Sequence, residues 1–249
     1  MNSEEAGVTT RRVRFKVCCI LDVAEAELAL AHGAAAVGLV SRMPSGPGVI
    51  DEAMIAEVAR AMAGRVATFL LTAETQAPAI LEQIERLSPH TVQLVDAVAP
   101  AEIAAVRRGA PAVEIVSVIH VAGPDSVPEA VEAAAHADAL LLDSGNPTSA
   151  VKELGGTGRV HDWSLSRAIV DAVRVPVWLA GGLDPENVTE AIEQVRPAGV
   201  DLCSGLRPDR ETRVLNPELL ARFSEAVRRA GEALHEVEAG ERGVGRERL

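Results

Sequence analysis

The sequence has no tyrosine, and only three phenylalanines and two tryptophans in 249 residues. With so few rings, its interior must be built from the Ala, Val and Leu that dominate a 48% apolar composition. Small aliphatic cores suit parallel strands covered by helices, where packing is tight and layered. Positive charge is also scarce. Lys and Arg number 24 against 36 Asp and Glu, a net charge of −12. That balance argues against nucleic acid and anionic membrane surfaces as partners. An anionic ligand must be held by local dipoles and a few cations. The three cysteines, Cys18, Cys19 and Cys203, form neither a disulfide framework nor a zinc-like C-x-x-C spacing. Reduced thiols and a cytoplasmic location are expected, with no metal. No apolar run reaches the length of a membrane span. The acidic start Met1-Asn-Ser-Glu-Glu does not resemble a signal peptide.

Short, continuous apolar runs alternate with helical patterns throughout. The expected strands are 14–20, 36–40, 66–71, 91–95, 114–120, 139–143, 177–180 and 200–203. The expected helices are 22–32, 51–63, 76–87, 100–108, 128–137, 164–173, 185–194 and 217–230, several opened by proline. Eight of each, in alternation, predict a single-domain α/β fold, the (β/α)8 TIM barrel. An open doubly wound sheet is the alternative, but its early Gly-x-Gly-x-x-Gly turn is absent. Residues 1–12 are expected as an N-terminal extension, 13–231 as the barrel, and 232–249 as a charged, frayed tail.

Functional groups of such barrels sit at the C-terminal ends of the strands. That rule selects Cys18 and Cys19, Asp96, His120, Asp143, Gly181-Gly182 and Ser204-Gly205. Asp143 ends the run Ala139-Leu-Leu-Leu-Asp143. A carboxylate there is costly to bury without a partner or a task, which makes it a candidate general acid. The alternative is an aspartate that caps a helix or braces a loop. Cys18 is a candidate to accept a proton as a thiolate, or else a small apolar filler. The glycine turns after the seventh and eighth strands are a candidate phosphate site, using backbone N–H groups that glycine lets an anion approach. Gly156, within Gly155-Gly156-Thr157-Gly158, belongs to a loop that could close over a substrate. Arg42 is a candidate contact to an anionic substrate or a solvated loop charge. His120 is a candidate substrate contact, although a satisfied rim histidine is the commoner outcome. His161 is expected to cap or line the loop.

Several segments, in order, carry a resemblance. They include Lys16-Val-Cys18, Val92-Gln93-Leu94, Leu142-Asp143-Ser144, Gly155-Gly-Thr-Gly158 with Asp162-Trp163, Leu179-Ala-Gly-Gly-Leu-Asp-Pro-Glu-Asn187 and Gly199-Val-Asp-Leu-Cys-Ser-Gly205. From about residue 14 to residue 223 the chain resembles phosphoribosylanthranilate isomerase, a barrel enzyme of tryptophan synthesis. The resemblance implies an Amadori rearrangement of an N-(5-phosphoribosyl) aminoaldose to a 1-amino-1-deoxyribulose 5-phosphate. It implies no cofactor, a monomer or homodimer, and a phosphorylated sugar as the small-molecule partner. The family's general acid falls on Asp143 and its general base on Cys18. Three departures stand out. Cys19 replaces the family's glycine, and Val95-Asp96 replaces His-Gly after Gln93-Leu94. Pro47 stands where the family carries an arginine for the anthranilate carboxylate, with Arg42 five residues upstream. These departures leave two other expectations open, an isomerase for a different phosphoribosyl compound and a non-catalytic sugar-phosphate-binding barrel.

Overall fold

The computed structural model describes residues 12–44, 46–145, 159–209 and 211–246. Eight parallel strands close in sequence order, with β1 (Arg14–Val17) bonded to both β2 (Ala36–Val40) and β8 (Gly199–Leu202). Between them lie β3 (Ala67–Thr72), β4 (Thr91–Leu94), β5 (Glu114–His120), β6 (Ala139–Asp143) and β7 (Val177–Leu179). The helices are α1 (Val23–Ala31), α2 (Glu52–Met62), α3 (Ala77–Leu87), α4 (Pro100–Gly109), α5 (Ser126–Ala134), α6 (Trp163–Ala172), α7 (Val188–Val195) and α8 (Pro217–Arg246). The expected (β/α)8 barrel is the observed fold.

Local chemistry explains the elements. Asp22, Asp51 and Asp162 cap α1, α2 and α6, each side chain accepting a first-turn backbone N–H. In α2 the buried residues Ile55, Val58, Ala59 and Met62 recur at helical spacing, and Val188, Ala191, Ile192 and Val195 repeat the pattern in α7. These stripes pack on the outward side chains of the strands, such as Val17, Val37 and Leu140. Inward side chains form a second cluster of small aliphatics around Phe69 and Trp178, whose rings meet edge to face at 5.8 Å. The few aromatics are therefore spent inside the barrel, where the small residues leave room.

Among the boundaries that differ from expectation, those of β1, α7 and α8 differ most clearly. β1 stops at Val17 rather than 20. Cys18 N still donates to Leu202 O, but Cys19 then turns to a left-handed φ of 61°, which ends the pleat. α7 begins at Val188 rather than 185, because Asp184 Oδ1 accepts from the N–H groups of Glu186 and Asn187 and holds them in a turn. α8 continues past residue 230 to Arg246, through the stretch expected to fray. No helix among the described residues is long and apolar enough to cross a membrane.

Candidate active site

The C-terminal ends of the strands surround one cavity. Cys18 enters it from the end of β1 and Asp143 from the end of β6. Strands one and six stand three positions apart around the barrel, and thiol and carboxyl line the same space. Both are buried. Asp143 Oδ1 accepts from Ser144 N at 2.7 Å, which fixes the carboxyl plane at the strand end. Cys18 Sγ stands over Gly38 of β2. A Cβ on that glycine would lie 2.8 Å from the sulfur and 3.2 Å from Lys16 Nζ.

Beneath the thiol is a buried ion pair. Lys16 Nζ is 2.9 Å from Asp201 Oδ2 and lies 5.3 Å from the centre of the Phe69 ring. Burial alone would lower the lysine's pKa. The charge of Asp201, with those of Cys18 and Cys19, outweighs it and holds the ammonium above its ordinary value. Burial pushes the Asp201 carboxyl up; Lys16 pulls the other way, and the charge of Asp143 adds to the rise. The Cys18 thiol is shifted down, first by its interaction with the Cys19 thiol and, against the cost of burial, by the Lys16 charge. Ionisation of Cys18 is thus easier than for an ordinary thiol.

The phosphate candidates lie at the neighbouring strand ends. Gly181 and Gly182 have φ of 86° and 65°, a conformation that side chains resist. A Cβ on Gly182 would meet the carbonyl carbon of Arg159 at 2.6 Å. Asn187 Nδ2 donates to Gly182 O, and Asn187 Oδ1 accepts from Asp184 N, so the turn is braced from behind. Ser204 opens a short 3-10 turn (Ser204–Leu206) and lines the cavity beside both glycines. Gly205 does not line it. Its Cβ would sit 2.1 Å from Leu183 O, so this glycine lets the two loops touch. The Cys18 thiol, the Asp143 carboxyl and the Gly181-Gly182 turn therefore share one pocket.

Comparison with known proteins gives this arrangement a family. A family model described as N-(5'phosphoribosyl)anthranilate (PRA) isomerase matches residues 15–209. The chain belongs to this family. The N-(5'-phosphoribosyl)anthranilate isomerase of Haloarcula marismortui is 37% identical over 194 residues, 78% of this chain and 86% of that protein. That of Methanocella arvoryzae is 31% identical over 215 residues, covering 86% and 98%. The solved phosphoribosyl anthranilate isomerase of Thermus thermophilus matches with a TM-score of 0.72 and 26% identity, over 86% of this chain and 98% of its own. Another phosphoribosyl anthranilate isomerase, solved with reduced 1-(o-carboxyphenylamino)-1-deoxyribulose 5-phosphate, shares the fold at a TM-score of 0.69 and 24% identity, over 86% and 98%.

Other residues singled out in the sequence fall outside this pocket. Arg42 is exposed and does not line it; Met43 and Pro47 of the same loop do. Asp96 lies at the rim after β4, where its carboxylate accepts from Ala97 N. His120 sits at the end of β5, with Nε2 3.1 Å from Val95 O. It is a rim histidine bonded to the adjacent strand end. Neither Asp96 nor His120 lines the cavity. Gly156 lies outside the described residues. His161 packs behind Gly181, with Nε2 2.6 Å from Ser166 Oγ, while Asp162 caps α6. Burial lowers the His161 pKa, so its ring is neutral near pH 7.

Sequence reasoning assigned no role to Lys16, Gln93, Asp201 or Cys203. Gln93, Asp201 and Cys203 line the pocket, and Lys16 underlies it. A signal was available: polar residues interrupt apolar strand runs at alternate, inward positions. The Cys19 departure has a backbone consequence. At φ 61° the glycine of the family is the unstrained choice, and this chain holds a cysteine there instead.

Proposed function

We propose that the chain catalyses the Amadori rearrangement of N-(5'-phosphoribosyl)anthranilate, with Asp143 as general acid and Cys18 as general base. The observation that carries this reading is the placement of a buried thiol and a buried carboxyl, from separate strands, in the lining of one pocket that Gly181, Gly182 and Ser204 also line. Family membership supports the substrate.

The proton inventory closes without a cofactor. Asp143 gives a proton to the ring oxygen. The bond from that oxygen to C1 breaks as the nitrogen lone pair forms a protonated Schiff base. The Cys18 thiolate removes the proton on C2, and that electron pair forms the C1–C2 double bond and neutralises the nitrogen. The enolamine then tautomerises to the ketone, with the C2 hydroxyl proton lost and a proton gained at C1. Gly181, Gly182 and Ser204 would hold the phosphate through backbone N–H groups and one hydroxyl, tethering the sugar between acid and base. Lys16 stays positive beneath the thiol and favours the thiolate.

The test supplies the substrate by generating it in situ and follows its fluorescence. Cys18→Ala and Asp143→Asn should each lower kcat by at least ~100-fold, with KM far less affected. Parent-like turnover in either variant ends the assignment of that residue. A second reading keeps the chemistry and changes the aglycone. It is favoured by the absence of Lys, Arg and His from the described pocket lining, where Pro47 and Met43 stand instead. Turnover of phosphoribosyl amines lacking a ring carboxylate, with none on the anthranilate compound, would select it.

A further inference from the structure

We propose that Arg207 is a positioning residue for the general base: its guanidinium ties the end of β1, where Cys18 stands, to the turn after β8 on the proposed phosphate side. The inference rests on Cys18 being the base. Arg207 does not line the cavity. It works from behind the wall, through the backbone.

Cys19 leaves the pleat at its φ of 61°. The residues on either side of it remain bonded to neighbouring strands. Cys18 N donates to Leu202 O at 2.8 Å, and Ile20 N donates to Gly38 O at 3.1 Å. A buried carbonyl between them needs a donor of its own. Among the described residues that donor is a side chain, Arg207 Nη2, 2.7 Å from the Cys19 carbonyl oxygen. The residue next to the thiol is thereby held by a group from the far end of the chain.

Arg207 is itself held. Its side chain is almost fully buried, and the Glu25 carboxylate of α1 accepts from both terminal nitrogens at 2.8 Å. Two parallel charge-assisted bonds set the place and the tilt of a planar guanidinium. Nη1 also donates to Arg213 O of its own loop, and Glu25 accepts in addition from Leu21 N and Leu215 N. At the backbone, Arg207 N donates to Ser204 O at 3.0 Å and closes the turn whose first residue lines the cavity with Gly181 and Gly182. One residue therefore bonds both the turn that would hold the phosphate and the neighbour of the base. A sugar tethered at that turn is placed relative to the Cys18 sulfur, as transfer of the C2 proton requires.

Lysine separates this role from simple charge balance. It keeps a cation for Glu25, but one ammonium nitrogen cannot stand where Nη1 and Nη2 both stand. The experiment uses the full chain and its Arg207→Lys and Arg207→Met variants. A third variant combines Arg207→Met with Glu25→Gln and leaves no orphan charge. Turnover per folded molecule, the urea midpoint and the pH dependence of Cys18 alkylation by iodoacetamide, localised by fragment mass spectrometry, are measured. Arg207→Lys should keep most of the urea midpoint that Arg207→Met loses. All three variants should nevertheless lower kcat by roughly 10-fold or more, with KM far less affected. The alkylation midpoint should stay at the parent value, because Lys16 remains beneath the thiol. Parent-like kcat in Arg207→Lys or in the folded double variant overturns the proposal. So does an alkylation midpoint that rises as kcat falls, which would make Arg207 a charge acting on the thiol. Undiminished turnover in Cys18→Ala instead overturns the general-base reading on which it rests.

Discussion

Lys16 Nζ approaches Asp201 Oδ2 to 2.9 Å inside the barrel, below the sulfur of Cys18. Two opposite charges with almost no solvent contact are costly to bury, and good mutual geometry repays that cost only in part. Here the pair has a chemical use. In the proposed mechanism it keeps a fixed positive charge under the thiol that acts as base. The ammonium lies beside Gly38 and 5.3 Å from the centre of the Phe69 ring.

Lys16→Met leaves the Asp201 carboxylate buried and alone. The expected cost is ~3–5 kcal/mol of stability by urea unfolding at neutral pH. Lys16→Met combined with Asp201→Leu should recover much of that loss. The single variant should also shift the Cys18 alkylation midpoint upward, since the cation that favours the thiolate is gone. A single variant as stable as the parent would mean that the pair is solvated.

Gly38 tests how tightly Cys18, the proposed base, is placed. An added Cβ would lie 2.8 Å from Cys18 Sγ and 3.1 Å from Cys18 Cα, closer than carbon normally packs. Gly38 is a strand residue without positive φ, so the effect is purely spatial. Gly38→Ala should fold and keep KM near the parent value. Displacing the thiol by a fraction of an ångström should cut kcat by roughly 10-fold or more. Parent-like kcat would show that the sulfur has slack.

The order of strands and helices was legible because each strand run is short, apolar and bounded by turn residues, and because proline or aspartate opens the helices. Cys18, Asp143, Gly181, Gly182 and Ser204 could be placed from the strand-end rule alone. The same rule also selected Asp96, just after β4, and His120, at the end of β5, which bond to backbone at the rim and do not line the cavity. It could not say which way loop side chains point, so Arg42 was grouped with a pocket it does not line. Nor did it find Lys16 and Asp201: their pairing depends on the closure of β1 against β8, a contact between the two ends of the chain.

Cys19 offers a stability comparison independent of catalysis. At φ 61° alanine carries the same steric penalty as cysteine, and glycine carries none. Cys19→Gly should therefore be more stable than Cys19→Ala by ~1–2 kcal/mol in chemical denaturation. Equal stabilities would mean that the turn relaxes and that no strain is held next to the base.

Glu25 joins three segments of the chain behind Cys19, and its protonation should be visible in acid. Its carboxylate accepts from Leu21 N at 3.0 Å, from Leu215 N at 2.8 Å and from both terminal nitrogens of Arg207 at 2.8 Å. Arg207 in turn anchors the carbonyl of Cys19. Burial would raise the glutamate pKa, but Arg207 and the two backbone N–H groups outweigh it, and the carboxyl titrates below its ordinary value of 4.5. A folded-state pKa below the unfolded one means stability that is fully present above the unfolded value. It is lost as the pH falls through the folded value. The urea midpoint of the parent should therefore drop as pH falls from neutral to roughly 3. Glu25→Gln cannot ionise and leaves Arg207 buried without its partner. It should be ~3–5 kcal/mol less stable at neutral pH, with a shallower acid slope because one titrating group has been removed. Identical slopes in parent and variant would show that Glu25 titrates as a free carboxylate and that the clasp on Cys19 contributes nothing to acid stability.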